Sequence, residues 1–135
     1  MRILVADDHA VVRKGVCTIL SSRADLECEE AENGREAIEK AIALGPDMVV
    51  LDITMPVLSG LDAAREIKNF LPQVPILILS MHTGEHVIKQ LKSLGVQGFV
   101  TKGQAATTLL QAVDALLNGQ TFFASSTAYA QPETI

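Results

Sequence analysis

The chain has 135 residues, 48% of them hydrophobic, which suffices for one domain with a substantial buried core. Its formal net charge is −5, with 16 acidic against 11 basic side chains, so we do not expect it to bind nucleic acid or an anionic membrane by itself. The apolar runs are shorter than the ~18 residues of a membrane span. Charged residues come too early for a signal peptide, and we expect a cytoplasmic protein.

The first half of the chain alternates short apolar strands with helical patterns. Residues 3–6 predict a strand that ends in Asp7 and Asp8, and residues 26–31, with three glutamates, predict an edge strand. Between them, apolar residues recur at helical spacing: Val12, Val16, Ile19 and Leu20. Asn33 and Gly34 begin a second helix, whose predicted inward face is formed by Ala37, Ile38, Ala41 and Ile42.

The second half repeats the alternation three times. Residues 48–51 predict a strand buried on both faces, which ends at Asp52; Pro56 and Gly60 then interrupt the chain before a helix over 59–70. The later strands are residues 76–79, ending at Ser80, and 98–101, ending at Lys102. A helix over 85–94 separates them, and a last helix carries Leu109, Leu110, Val113, Leu116 and Leu117. Cys17 and Cys28 lack metal-ligand spacing, and we expect buried, reduced thiols.

Five strands alternating with five amphipathic helices predict an α/β fold with a parallel sheet covered on both faces. The acidic second strand belongs at an edge, which favours the flavodoxin-like doubly wound order 2-1-3-4-5. We place this domain at residues 1–118. Residues 119–135 have no apolar period and are expected to be a loosely packed tail, or the start of a linker.

Polar side chains follow four of the five predicted strands, namely Asp7, Asp8, Asp52, Ser80 and Lys102. The carboxyl ends of parallel strands share one edge of the sheet, where ligands bind in such folds. Helix capping could explain Asp8 or Ser80 alone, and solvation could explain Lys102 alone. Neither explains the whole set, so the sequence predicts a functional site at this edge.

The charges of this set point to a divalent cation. Three carboxylates and one lysine sum to −2, and Mg²⁺, which prefers oxygen ligands and works beside phosphate, brings the sum to zero. His82 and His86 lack a supporting ligand set, and we interpret them as surface residues. A carboxylate beside Mg²⁺ can form an acyl phosphate. Phosphorylation of Asp52 would change its charge from −1 to about −2, next to Ser80 and Lys102, as in a switch.

The motifs resemble the receiver domain of two-component response regulators from Ile3 to about Asn118. The matching residues are Asp7-Asp8, Asp52-Ile-Thr-Met-Pro with Gly60, Ser80, and Phe99-Val-Thr-Lys102. The resemblance implies that a sensor histidine kinase phosphorylates Asp52 with Mg²⁺. It also implies a regulatory domain, not an enzyme, that promotes its own phosphorylation and dephosphorylation.

The same resemblance implies roles for individual residues. Asp8 and Asp52 would bind Mg²⁺ directly, with the carbonyl of Thr54, and Asp7 would act largely through water. Ser80 would move onto the phosphoryl group, while Lys102 would bind it. The two remaining positions are Phe99, the aromatic that turns inward on activation, and His82, which with Thr54 tunes the lifetime of the phosphoryl group.

Residues 79–83 and the segment after the last helix look like regulators with a LuxR-type helix-turn-helix output domain. That resemblance implies control of transcription and self-association into a homodimer on phosphorylation. This chain lacks the output domain, so contact with DNA would require a domain outside this sequence. The chain is either an excised receiver or a free-standing one.

Two other classes share part of the pattern. A haloacid-dehalogenase-type aspartyl-phosphate phosphatase would place a second Asp two residues after the nucleophile, where this chain has Thr54, and would need room for a capping insertion. A flavodoxin-like flavin carrier would cradle phosphate with Ser, Thr and Gly in its first loop, where Asp7 and Asp8 would repel it.

Overall fold

A computed structural model of the chain describes residues 1–81 and 85–124. Strands and helices alternate along these residues, and none of the helices described is long and apolar enough to cross a membrane. The strands are β1 (Arg2–Ala6), β2 (Glu27–Ala31), β3 (Met48–Asp52), β4 (Ile76–Ser80), β5 (Gly98–Thr101) and β6 (Phe122–Ala124). The helices are α1 (Ala10–Ser21), α2 (Gly34–Leu44), α3 (Gly60–Phe70), α4 (Glu85–Ser93) and α5 (Ala105–Leu117), the last preceded by a 3₁₀ turn at Lys102–Gln104.

The strands form one parallel sheet in the order β2-β1-β3-β4-β5-β6. The predicted fold class and the order 2-1-3-4-5 are confirmed. The glutamate-rich β2 lies at an edge, as expected, and only its last residue is buried. By contrast, every residue of β3 is buried.

The sheet has one strand more than the sequence predicted. β6 pairs with β5, with Phe123 beside Phe99, so the expectation of a loosely packed tail is wrong for Phe122–Ala124. The chain returns to the sheet through Gly119, whose φ of 80° suits glycine. A three-residue strand is too short to show an alternating pattern in the sequence. Residues 125–135 of the predicted tail lie outside the described part of the chain.

Two apolar layers enclose the sheet. Along β3, Val49 and Leu51 face the layer formed with α2, α3 and α4, whereas Met48 and Val50 face the layer formed with α1 and α5. Alternate residues of a strand point to opposite faces, so a strand between two layers has to be apolar throughout. This is why the four apolar residues before Asp52 predicted the central strand correctly.

Local signals position two of the helices. The Asn33 side chain accepts a hydrogen bond from the Glu36 backbone N–H at the start of α2, and Ser59 does the same for Asp62 in α3. The predicted inward face of α2 is wrong at one position: Ile42 is 49% exposed, whereas Ala37 and Ala41 are fully buried and Ile38 packs against the core.

The two cysteines are joined, contrary to expectation. Cys17 in α1 and Cys28 in β2 form a disulfide with their Cα atoms 5.8 Å apart, and both residues are half-buried. The prediction of buried, reduced thiols is therefore wrong for this structure. Helix α1 packs on the edge strand with the two cysteines facing each other, a tertiary proximity that their spacing in the sequence does not indicate.

Candidate functional site

The carboxyl ends of the strands lie around a cleft at one edge of the sheet. Asp52 of β3 is in register with Leu79, and Ser80 of β4 with Thr101. The cleft at this edge has a volume of about 200 Å³ and is lined by His9, Asp52, Thr54, Met81 and Lys102. A larger, more open groove of about 510 Å³ lies along α1, but Lys14 is the one charged residue in its lining. The convergent charges identify the smaller cleft as the candidate site.

An acidic cluster forms one side of the cleft. Asp7 and Asp52 are buried, with 2% and 4% of their surface exposed, whereas Asp8 is exposed. One oxygen from each of these carboxylates and one ring nitrogen of His9 all lie within 4.8 Å of one another. The structure thus brings together the three aspartates that the sequence predicted, and it adds His9.

Lys102 reaches both buried carboxylates. Its Nζ lies 2.9 Å from Oδ2 of Asp7 and 3.2 Å from Oδ2 of Asp52. Burial lowers the pKa of Lys102, but contact with the two carboxylates outweighs burial, and the net pKa is raised. The ammonium group therefore stays charged near neutral pH.

The Asp52 carboxyl is held in an environment that disfavours its charge. Burial raises its pKa, and the neighbouring charge of Asp7 raises it further. Lys102 and the backbone N–H of Thr54, 3.4 Å from Oδ1, act in the opposite direction without cancelling the rise. A carboxylate at this position is thus under-compensated by the protein alone.

The residues of the cluster fit a hard divalent cation. Oδ2 of Asp7 is buried and accepts no hydrogen bond of regular geometry, although Lys102 lies close to it. The backbone N–H of His9 donates to Oδ1 of Asp7 over 2.8 Å and fixes that side chain. Three carboxylates and one ammonium leave a charge of −2, which Mg²⁺ would neutralise with the oxygen ligands it prefers.

The remaining predicted residues lie at different depths. Thr54 is exposed and lines the cleft. Ser80 is fully buried at the end of β4, one residue before Met81 at the cleft. Phe99 is also fully buried, away from the cleft lining, and is in register with Ile78 of β4. His82 lies outside the described residues.

Sequence reasoning missed three residues around the site. His9 and Met81 line the cleft, and Arg13 in α1 is buried and contacts the backbone of Asp7. The Arg13 guanidinium donates to the backbone carbonyl of Asp7 over 2.8 Å and to Glu30 over 2.7 Å. The hydrogen bond from Arg13 to Glu30 is the main reason why the pKa of Glu30 is lowered. A basic residue on the buried side of an amphipathic helix, near a glutamate-rich strand, was the available signal.

The site lies within a region that matches a known family. The family model described as the response regulator receiver domain matches residues 3–114. The chain belongs to this family. The predicted resemblance to the receiver domain of response regulators is therefore confirmed. The match supports neither the phosphatase nor the flavin carrier.

Characterised relatives of this receiver domain are regulatory proteins. It is 35% identical over 120 residues to the transcriptional regulatory protein LnrK of Bacillus subtilis (strain 168), a match that covers 88% of this chain and 54% of LnrK. It is 37% identical over 124 residues to the oxygen regulatory protein NreC of Staphylococcus epidermidis, covering 90% of this chain and 57% of NreC. The receiver domain thus spans little more than half the length of these curated relatives.

Solved structures agree with the fold along almost the whole chain. A two-component response regulator of the LuxR family from Aurantimonas sp. SI85-9A1 superposes with a TM-score of 0.90 at 32% identity, covering 95% of this chain and 92% of that one. The signal receiver domain of the putative response regulator NarL from Mycobacterium tuberculosis gives 0.83 at 31% identity, covering 88% and 97%. Resemblance to LuxR-family regulators, predicted from the sequence, is confirmed.

Proposed function

We propose that this receiver domain is a phosphorylation switch in which Asp52 accepts a phosphoryl group from a sensor histidine kinase. The observation that carries the proposal is the position of Asp52: buried, 3.2 Å from the Lys102 ammonium, and within one cluster of oxygens with Asp7 and Asp8. These groups would balance the charge of an acyl phosphate at the cleft.

The transfer needs Asp52 in its charged form. One carboxylate oxygen attacks the phosphorus of a phosphohistidine; the new O–P bond forms as the P–N bond breaks, and the nitrogen keeps the electron pair. The Lys102 ammonium would stabilise the negative charge that develops on the phosphoryl oxygens. Asp8, Asp52 and the Thr54 carbonyl would hold Mg²⁺, with Asp7 acting through water, and the ion would supply further charge neutralisation.

The same cleft would also return the switch to its resting state. Hydrolysis of the acyl phosphate needs only water besides the domain itself, and the cleft that promotes phosphorylation would also promote dephosphorylation. Thr54, exposed at the cleft, is placed to affect how water reaches the phosphorus. We assign Thr54 and His82 to the control of phosphoryl lifetime.

The readout would pass through β4 and β5. Ser80, buried at the end of β4, would move its hydroxyl toward the phosphoryl group, and Phe99 on the neighbouring strand would respond. We propose that the altered surface drives homodimer formation in the cytoplasm. Transcription would then be controlled through a DNA-binding output domain that lies outside this chain.

Mass spectrometry of the intact chain tests the proposal. Incubation with acetyl phosphate and Mg²⁺ should add one phosphoryl group that hydroxylamine removes, and Asp52→Asn should abolish the addition. Asp62→Asn, at an exposed carboxylate in the first turn of α3, is the matched control and should react normally. Addition to another residue, addition that survives in Asp52→Asn, or no addition at all would refute the assignment.

A further inference from the structure

The disulfide joins α1 to the edge strand β2 at a place that solvent reaches. Cys17 and Cys28 have their Cα atoms 5.8 Å apart, within the range that a disulfide needs, and both residues are half-buried. Cys17 also lies in the lining of the open groove of about 510 Å³ along α1, which does not include Cys28. A small molecule in this groove can therefore approach Cys17 first.

A disulfide at this place needs a reason in a protein that we expect in the cytoplasm. Cytoplasmic thiols are kept reduced, and the disulfides that do form there are usually transient and take part in catalysis or redox sensing. Neither cysteine belongs to the acidic cluster or to the lining of its cleft. A role in redox sensing therefore requires a path of contacts from the cysteines to that cluster.

Arg13 and Glu30 form a second link between the same two elements. Arg13 lies one helical turn before Cys17 on α1, and Glu30 lies two residues after Cys28, on the same face of β2. Nε of Arg13 donates to a carboxylate oxygen of Glu30 over 2.7 Å. The disulfide and this ion pair thus run side by side, so a shift of α1 over β2 at Cys17 also displaces the Arg13 guanidinium.

The second link continues to the acidic cluster. The Arg13 guanidinium also donates to the backbone carbonyl of Asp7 over 2.8 Å, in a buried position. The backbone N–H of Asp7 donates to the carbonyl of Ala31, the residue that follows Glu30 at the end of β2. Asp7 is thus held by α1 on one side and by β2 on the other. The relative position of these two elements therefore determines where the Asp7 carboxylate lies in the cluster.

We propose that Cys17 and Cys28 are a redox-modification site, which exchanges with low-molecular-weight disulfides of the glutathione type and tunes the affinity of the acidic cluster for Mg²⁺. In the oxidised chain, the disulfide fixes α1 on β2 and holds Asp7 in place for the cation. In the reduced chain, ion pairs to Glu30 hold the two elements together without a covalent link, and the cluster is less ordered before it binds. The redox site goes beyond the proposed function and rests on it only for the use that phosphoryl transfer makes of Mg²⁺.

The exchange is a two-electron oxidation of the protein. The Cys17 thiolate attacks one sulfur of the small disulfide; a new S–S bond forms at Cys17 as the S–S bond of the small disulfide breaks, and the leaving thiolate keeps the electron pair. The Cys28 thiolate then attacks the sulfur of Cys17 and displaces the second thiolate. The two protons of the cysteines end on the two small thiols released. An excess of reduced thiol reverses both steps.

Mass spectrometry in glutathione buffers tests the exchange. The chain incubated with oxidised glutathione should lose two hydrogen atoms and should no longer react with iodoacetamide, and reduced glutathione should reverse both changes. Cys28→Ala should accumulate a mixed disulfide with glutathione at Cys17, because no second thiol displaces it. Cys17→Ala should accumulate its mixed disulfide more slowly, since Cys28 lies outside the groove lining. No disulfide after oxidation, or faster capture at Cys28 than at Cys17, would overturn the proposed site.

Isothermal titration calorimetry with Mg²⁺ tests the coupling to the acidic cluster. The reduced chain should bind Mg²⁺ about fivefold more weakly than the oxidised chain, a factor at the lower end of allosteric coupling. The Cys17→Ala, Cys28→Ala double variant should bind like the reduced chain with and without dithiothreitol. Arg13→Gln should remove most of the difference between the redox states, because it breaks the link to Asp7. Arg65→Gln, which removes an exposed ion pair on α3, is the matched control and should keep the full difference.

The outcomes of the titration decide the coupling. Equal Mg²⁺ affinity of the oxidised and reduced chains, or a redox response that survives in the double cysteine variant, would overturn the inference. A full redox response in Arg13→Gln would do the same, and should that variant fail to fold, the first two comparisons decide. Failure of acetyl phosphate to modify Asp52 would instead refute the proposed function and would leave the Mg²⁺ comparison valid.

Discussion

At the scale of single residues, stability and function place opposite demands on the charge of Asp52. Its pKa is raised by burial first and by Asp7 second, and Lys102 only partly opposes this. The carboxylate needed for phosphoryl transfer is therefore the form that the metal-free fold disfavours. Sites that must bind a cation or phosphate commonly carry such a cost.

This opposition predicts a pH dependence of folding without Mg²⁺. Because the folded-state pKa of Asp52 exceeds that of the unfolded chain, the native state binds more protons between the two values, and its stability falls as pH rises through that window. Asp52→Asn lacks this titration. Its free energy of unfolding at neutral pH should exceed that of the unmodified chain, and the two should converge in acid, as measured by urea denaturation in EDTA.

A second aspartate gives the opposite sign and serves as the control. A hydrogen bond from Arg23 lowers the pKa of Asp25, so its stabilising contribution is present above the unfolded-chain pKa and is lost in acid. Asp25→Asn should therefore leave the chain no more stable than before at neutral pH. If Asp52→Asn behaves like Asp25→Asn, the environment of Asp52 has been misjudged.

Gly60 shows how closely the backbone approaches the phosphoacceptor. A Cβ at this position would lie 2.1 Å from the backbone oxygen of Asp52, so Gly60→Ala should lower the free energy of unfolding by about 1–3 kcal/mol. Gly15→Ala, in an open position of α1, should instead raise it by about 0.5–1 kcal/mol. Chemical denaturation of both variants measures the difference, and equal effects would contradict the close approach.

Site residues that follow strands could be predicted from the sequence. Site residues whose role depends on the direction of their side chains could not. Asp52 and Lys102 could be placed because parallel strands end at a common edge. Arg13 could not, since its burial depends on how α1 lies over β2. Nothing in the sequence around Val57 indicates its positive φ, because valine is not a residue type that favours this backbone conformation.

At the scale of elements, α1 is attached to β2 by two kinds of contact. Arg13 and Lys14 both bind Glu30, at 2.7 and 2.9 Å, and Cys17 is bonded to Cys28 farther along the same pair of elements. Arg13 also binds the carbonyl of Asp7, which connects this attachment to the acidic cluster. The position of α1 and the geometry of Asp7 are therefore coupled.

Reduction of the disulfide should weaken the fold measurably. The bond joins residues 11 apart in sequence. A disulfide that closes a loop of this size stabilises the folded state by at most about 3 kcal/mol. We expect dithiothreitol to lower the free energy of unfolding by up to this amount. A Cys17→Ala, Cys28→Ala double variant should be insensitive to reductant, and an equal response in both chains would show that the bond does not form.

The fold-level errors at this scale share one cause. The disulfide and β6 both arise from contacts between segments whose proximity exists only after the sheet has formed. Local periodicity, by contrast, was enough for the longer elements, because each buries an apolar face against the sheet. Edges and short strands carry little such pattern and are determined by the rest of the fold.

At the scale of the whole molecule, the charge distribution suits a signalling domain better than a nucleic-acid-binding one. The formal net charge is −5, and Lys102 is buried against Asp7 and Asp52. Arg13 and Lys14 are paired with Glu30, and Arg23 with Asp25 and Asp114. Arg2, Lys40 and Arg65 also pair with carboxylates, which leaves four of the eleven basic residues without an ion pair among the described residues.

This distribution predicts that the chain, phosphorylated or not, does not bind DNA specifically by itself. Affinity for DNA comes largely from phosphate-neutralising contacts, and the apolar faces of α1 and α5 are already used to cover the sheet. Residues 119–135 contain neither Lys nor Arg, so the C-terminal segment offers no basic arm. A mobility-shift titration at low salt, with the chain before and after treatment with acetyl phosphate, measures the affinity directly. Saturable, sequence-dependent binding at micromolar protein would contradict the prediction and would mean that this chain contacts DNA without a separate output domain.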